Sequence, residues 1–304
     1  MKPVKLIVVG DPHIENKAES AKPRGVDTAA RVGRLVQHIN AHHADAVLCL
    51  FIGDLAHEGH LAGYERFKTL IAPLAVPRAL MIGNHDNREN FQATFPQSRQ
   101  DEHGFVQFVL DIGEQYRLIA LDSLNGPPYD RFRSHIGNLC PQRLAFLESS
   151  LQAAGDRQLI IAMHHHPFRI GLPGMDAIRL FNGPEFLALI SRFPNVKMLL
   201  MGHNHRSISG VSHGLPFTCF KSMSPQTQLD FEAIDPSAAI DEPPSYGVLL
   251  LTEDGIIVHE EEFLSNMTRS SNWEAQLAKN PELAEGWQML VSIMLPEKVG
   301  GQNT

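Results

Sequence analysis

The chain has 304 residues, 43% hydrophobic and 20% charged, which is enough to bury one large core without disulfide or metal staples. That composition excludes a disordered or collagen-like chain and points to one large domain, or one with an appendage. Lys and Arg number 26 against 34 Asp and Glu, a formal charge of −8, so no nucleic-acid polymer is expected as partner.

The first apolar run, Leu6-Ile7-Val8-Val9, is cut short by Gly10 and Asp11, so it is no signal-peptide core. No window approaches the ~20 apolar residues of a membrane span. Three scattered cysteines, Cys49, Cys140 and Cys219, form no CxxC pair and suggest neither a disulfide framework nor a Cys-rich zinc site. A cytoplasmic protein with no membrane partner is expected.

In chain order, apolar runs predict strands over 5–10, 46–53, 78–83, 105–110, 117–121, 158–163 and 196–202. Weaker runs follow near 208–211 and 216–220, then a hairpin over 246–251 and 255–259. Between them, apolar residues at helical spacing predict helices over 28–42, 61–71 and 141–154, and one opened by Pro184. This alternation predicts an α/β domain. Two regions break the rhythm. The stretch 222–245 carries Pro225, Pro236, Pro243 and Pro244 and reads as a candidate cap loop, perched over its own site or lent to a neighbouring subunit. After a domain over 1–263, the stretch 264–304 turns polar with short helical patterns. It reads as a C-terminal appendage, packed on the domain or used in a homo-oligomer, a dimer or higher.

Several predicted strands run straight into metal-type ligands: Gly10-Asp11-Pro12-His13, Gly53-Asp54, Gly83-Asn84-His85-Asp86, His164-His165-His166-Pro167 and Gly202-His203-Asn204-His205. Ligands of open α/β sheets bind beyond the carboxyl ends of strands, so these five ends can converge on one crevice. Residues i and i+2 of an extended segment share a face, which pairs Asp11 with His13 and His203 with His205. Singly, each reads as an ordinary loop or capping residue; it is their coincidence at successive strand ends that is informative. Asp11, His13, Asp54, Asn84, one His of 164–166, His203 and His205 make seven oxygen and nitrogen donors, more than one four-coordinate ion needs. They suit two ions sharing a carboxylate, an arrangement that serves phosphoryl displacement. The donor set suits Zn, Mn, Fe, Co or Ni better than a soft metal, and Mn, Fe or Zn is expected.

The ordered set DPH, GD, GNHD, HHHP and GHNH resembles the calcineurin-like metallophosphoesterase superfamily. The phrasing GNHDNR at 83–88 and AMHHHP at 162–167 is similar to bacterial class III cyclic-nucleotide phosphodiesterases and glycerophosphodiesterases. The resemblance implies a sandwich of two mixed β-sheets flanked by helices, in α-β-β-α layers. It implies a metal-dependent phosphoric diester hydrolase for a small diester, working by attack of a hydroxide held between two divalent or trivalent ions. Carried over, Asp11, His13 and His205 hold one ion, Asn84, His164 and His203 the other, and Asp54 bridges them. His85 sits over the phosphate, with Asp86 to orient it. His164 is preferred from its run because it comes first after the strand, and His166 stays a competitor. Arg88, Arg169, Arg206 and Lys221 are near enough in sequence to supply a cation. A phosphomonoesterase or pyrophosphatase on the same scaffold is the enzyme alternative, and a non-catalytic metal-binding scaffold the alternative of another class.

Overall fold

In β1 (Val4–Val9), Ile7 and Val9 pack into one core while Leu6 and Val8 pack into another, because successive side chains of a strand point to opposite faces. That division organises the molecule. The computed structural model describes residues 3–16, 25–129, 133–265 and 273–295. After β1 come α1 (Thr28–His42), β2 (Leu48–Ile52), α2 (Leu61–Ile71), β3 (Arg78–Met81) and α3 (Arg88–Thr94). The second half of the sandwich brings β4 (Phe108–Ile112), β5 (Tyr116–Leu121), α4 (Pro141–Gln152), β6 (Gln158–Met163), α5 (Pro173–Ala177), α6 (Gly183–Ile190), β7 (Val196–Met201), β8 (Ile208–Ser212) and β9 (Leu215–Cys219). A two-residue ladder, β10 (Gln226–Thr227) with β11 (Ala239–Ile240), precedes the hairpin β12 (Ser245–Leu251) and β13 (Ile256–Glu262).

One sheet runs β13-β12-β1-β2-β3 and the other β4-β5-β6-β7-β9-β8. Both are mixed: β1, β2 and β3 are parallel with β12 antiparallel beside them, and β5, β6, β7 and β9 are parallel between antiparallel edges. Leu50 and Ile52 of the first sheet meet Leu118, Ile160 and Leu200 of the second in the middle core. α1 and α2 cover the outer face of the first sheet, where Val32, Leu35 and Phe67 are buried. α4 and α6 cover the second through Leu147, Phe186 and Ile190. The layering is therefore α-β-β-α. Strands covered on both faces explain the near-continuous apolar runs of β2 and β6.

Local chemistry sets the helix ends. Asp27 caps α1 by accepting from the Ala30 amide at 2.9 Å, and Pro184 stands in the first turn of α6. The expected fourth strand begins three residues late. The Phe105 amide donates to the Asp101 carboxylate and the Val106 amide to Asp122, which takes both out of the ladder. The chain divides into two compact units, 1–264 and 265–304. Within the second, α7 (Trp273–Lys279) and α8 (Pro281–Met294) are joined at Asn280, whose side chain caps α8 by accepting from Leu283.

Candidate metal centre

The carboxyl ends of β1, β2, β3, β6 and β7 open on one crevice. The loops after β1 and β2 are zipped together, the His13 amide donating to the Asp54 carbonyl at 2.8 Å and Ile14 to Leu55 at 3.0 Å. Asp11, His13, Asp54, His203 and His205 all take positive φ, between 44° and 67°. Non-glycine residues rarely occupy this region, so the chain turns abruptly to aim these side chains inward. Gly53 and Gly83 keep the approach open. A Cβ at Gly53 would stand 2.5 Å from His164 Nδ1, and one at Gly83 2.6 Å from His164 Nε2.

Two donor groups share Asp54, beside a third made of His13, His57 and His85. Asp11, His13, Asp54 and His205 bring one donor atom each within 4.8 Å of one another, and so do Asp54, His164 and His203. Asp54 belongs to both. Its Oδ2 lies 3.4 Å from His13 Nε2 and 3.3 Å from His164 Nε2, while its Oδ1 accepts from the His85 amide at 2.8 Å. Asn84 adds an amide oxygen to the second group, 3.0 Å from His164 Nε2 and 2.7 Å from His203 Nδ1. The far ring nitrogens are held as well, His164 Nδ1 by the Ile52 carbonyl at 2.9 Å and His205 Nδ1 by that of Pro225 at 3.1 Å.

The electrostatics fit cations. Burial, with His85, His205 and His57 nearby, drives His13 well below the usual imidazole range, and burial with the neighbouring histidines does the same to His203. Both are thus neutral, the ligating form. Burial, with Asp54 beside it, pushes Asp11 up to about 8. Burial acts against Asp54 too, but His164, His85 and His13 outweigh it and keep Asp54 ionised. Asp11 Oδ2 is buried without a hydrogen-bond partner, and such an orphaned polar atom is costly unless something is coordinated there. Seven O and N donors, one of them carrying an unmatched atom, fit two metal ions.

Asp86 departs from expectation. Its carboxylate does not face His85; it accepts from the amides of Gly83, Leu55 and Ala56 and from the Tyr64 hydroxyl, at 2.8 to 3.2 Å. It ties two ligand loops together from behind, and burial followed by the Asp54 charge raises its pKa. His85 is instead oriented by the His57 carbonyl, 2.7 Å from its Nδ1. His165 faces away, against Ser123 Oγ at 2.7 Å. His166 is buried with Nε2 3.5 Å from Asp176, outside both groups. The sequence reading missed His135, whose Nδ1 accepts from Asn84 Nδ2 at 2.8 Å and so turns the Asn84 oxygen toward His164 and His203. A lone loop histidine offers no periodicity to find it by.

A cavity of about 420 Å³ lies over the two groups. His85, His135, Met175 and Ile178 line it, and Thr227, Pro236 and Ser237 of the 222–245 stretch complete the wall. That stretch thus lines its own chain's cavity. A larger surface cavity, about 970 Å³ beside Phe168 and Arg169, contains none of the clustered residues; convergent titratable groups, not volume, mark the site. Three of the four candidate cations are engaged elsewhere. Arg88 forks onto Asp122 at 2.8 and 2.9 Å, Arg206 contacts Glu242 and the Thr227 carbonyl, and Lys221 pairs with Glu242 at 3.3 Å. Among the described residues no Arg or Lys lines the site cavity.

Residues 4–207 match the family described as Calcineurin-like phosphoesterase. A probable cyclic nucleotide phosphodiesterase of Rhodopseudomonas palustris is 38% identical over 262 residues, 86% of this chain and 93% of that protein. A 3',5'-cyclic adenosine monophosphate phosphodiesterase of Pseudomonas aeruginosa is 31% identical, covering 83% of this chain and 87% of its own length. A probable glycerophosphodiester phosphodiesterase of Arcobacter nitrofigilis is also 31% identical, covering 84% and 91%. Among solved structures, a dimetal phosphatase from Danio rerio superposes with a TM-score of 0.65 at 15% identity, over 86% of this chain and 97% of that one, a likeness of fold alone. The chain belongs to the calcineurin-like phosphoesterase family.

Proposed function

We propose that this chain is a dinuclear-metal phosphodiesterase for small diesters, with 3',5'-cyclic nucleotides as the favoured class. Asp11, His13 and His205 would hold one ion, Asn84, His164 and His203 the other, and Asp54 would serve both. The observation that carries this reading is Asp54 Oδ2, one oxygen facing both donor groups. The donors support Mn, Fe or Zn. Bound there, two such ions would supply Lewis acidity, lowering the pKa of water and neutralising phosphoryl charge.

The chain's own residues supply the rest. His85 spends Nδ1–H on the His57 carbonyl, so its Nε2 is the atom offered to a phosphoryl oxygen or a departing alkoxide. Asn84 is locked in one amide orientation by His135. Asp86 supports the loops that carry both and takes no part in proton transfer. A dianionic monoester would profit from a guanidinium fork; Arg88, Arg206 and Lys221 are instead committed to Asp122 and Glu242, which supports a singly charged diester. Met175, Ile178 and Pro236 give the cavity an apolar wall, suited to the flat face of a nucleobase rather than to a glycerol chain.

The test is turnover with added Mn²⁺ of bis-nitrophenyl against mono-nitrophenyl phosphate, then of cyclic AMP against glycerophosphocholine. The diester should lead by about tenfold or more in kcat/KM, and the cyclic nucleotide should lead the second pair. Faster monoester turnover would move the assignment to a phosphomonoesterase.

A further inference from the structure

We infer that His57 is a positioning residue that couples the first donor group to His85. The inference rests on the metal-centre reading above. His57 stands three residues after Asp54, and its amide is pinned by the Ile14 carbonyl at 3.0 Å. Two neighbours depend on it. Its ring stacks on that of His85, with centroids 5.2 Å apart and planes inclined by 18°, while its carbonyl accepts from His85 Nδ1. On the other side its Nδ1 lies 3.3 Å from His13 Nδ1.

The protons in this chain have one consistent arrangement. His13 turns Nε2 toward Asp54 and His205, so as a ligand that nitrogen is bare and the proton sits on Nδ1. His13 Nδ1–H then donates to His57 Nδ1. The proton of His57 is left on Nε2, which faces Glu15 Oε1 at 3.8 Å. An imidazole–imidazole pair, with a carboxylate facing its far end, therefore ends on His13 Nδ1, the ring nitrogen opposite the ligating Nε2. Such outer partners fix the tautomer of a ligand and raise its basicity, and their loss costs about 10–100-fold in metal affinity. His57 performs this for His13 through its edge, and holds His85 through its face.

Two substitutions separate the roles. His57→Phe keeps a ring against His85 and removes the acceptor for His13. His57→Asn keeps an amide oxygen in reach of His13 Nδ1–H and removes the stacking face. Calorimetric titration of the metal-free full chain with Mn²⁺ should show His57→Phe weakened about tenfold or more and His57→Asn within about threefold of the parent chain. At saturating Mn²⁺, kcat for bis-nitrophenyl phosphate should fall more in His57→Asn, by about tenfold, than in His57→Phe. Glu15→Gln should weaken Mn²⁺ in the same direction as His57→Phe. Parallel losses of affinity and turnover in both variants, with a lowered Tm, would reduce His57 to a packing residue and overturn the inference, as would parental Mn²⁺ affinity in His57→Phe. The titration needs no substrate, so it decides the His57–His13 link even if the diesterase reading fails.

Discussion

His164 Nε2 lies 3.0 Å from Asn84 Oδ1, across 80 positions of sequence. That contact separates His164 from its two neighbours, because His165 turns to Ser123 and His166 to Asp176. His164→Ala is expected to lose about one equivalent of metal and to cut kcat by about two to three orders of magnitude. His166→Gln should retain both equivalents, with a stability loss of about 1–3 kcal/mol for disturbing a buried polar group. Metal analysis of both purified variants checks this; full metal content in His164→Ala would reassign the ligand.

His85 and Asp86 are adjacent in sequence and opposite in effect. His85→Ala removes a group at the cavity wall, so turnover should fall about 100-fold while the urea midpoint barely moves. Asp86→Ala removes the acceptor of three backbone amides and a tyrosine hydroxyl and should cost about 2–4 kcal/mol of stability. Chemical unfolding run beside steady-state kinetics separates the two. An undiminished urea midpoint in Asp86→Ala would contradict the bracing role.

The Arg88–Asp122 pair predicts a pH signature. Burial works to raise the Asp122 carboxyl, but Arg88, with Arg143 behind it, overcomes burial and holds Asp122 below the ordinary range. A carboxylate depressed in the folded state stabilises the fold above its unfolded pKa of about 3.9, and loses that contribution as pH falls through the folded value. Asp122→Asn leaves Arg88 buried without its partner charge and should cost about 3–5 kcal/mol at pH 7. The difference from the parent chain should shrink in unfolding measured near pH 3, below the unfolded value. A difference of equal size at both pH values would sink this assignment.

Chelation should act on stability as well as on rate. A ligand that binds only the folded chain raises its stability by mass action, about 2.7 kcal/mol at a hundredfold excess over Kd. Removing metal with a chelator should therefore lower Tm and abolish turnover, and Mn²⁺ should restore both. An unchanged Tm would mean that the clustered donors bind no ion tightly.

Sequence pattern revealed the clustered donors because each follows a strand and a turn, so their chemistry stands beside a strong apolar signal. The helices α1 and α2 were legible for the same reason: long enough to show a 3.6-residue period, with Asp27 as a cap. α3 and α5, of seven and five residues, are too short to show one. Asp86 was misread because adjacency to His85 in sequence suggested contact, whereas its side chain turns to the opposite side of the loop. His57, just after the Asp54 turn, could be read as lining the cleft, but its partners were not legible and His135 was hidden, because their roles depend on which atoms meet across 44 and 51 positions, a property of tertiary register. Arg88 looked available to a phosphate until Asp122, 34 residues away, was found holding it.

The left-handed backbone at Asp11, His13, Asp54, His203 and His205 sets durability against chemistry. Each such residue holds on the order of 1 kcal/mol or more of conformational tension that glycine would release. His205→Gly, though inert as a catalyst, should therefore melt later than the metal-stripped parent, a gain reached only by surrendering the ligand.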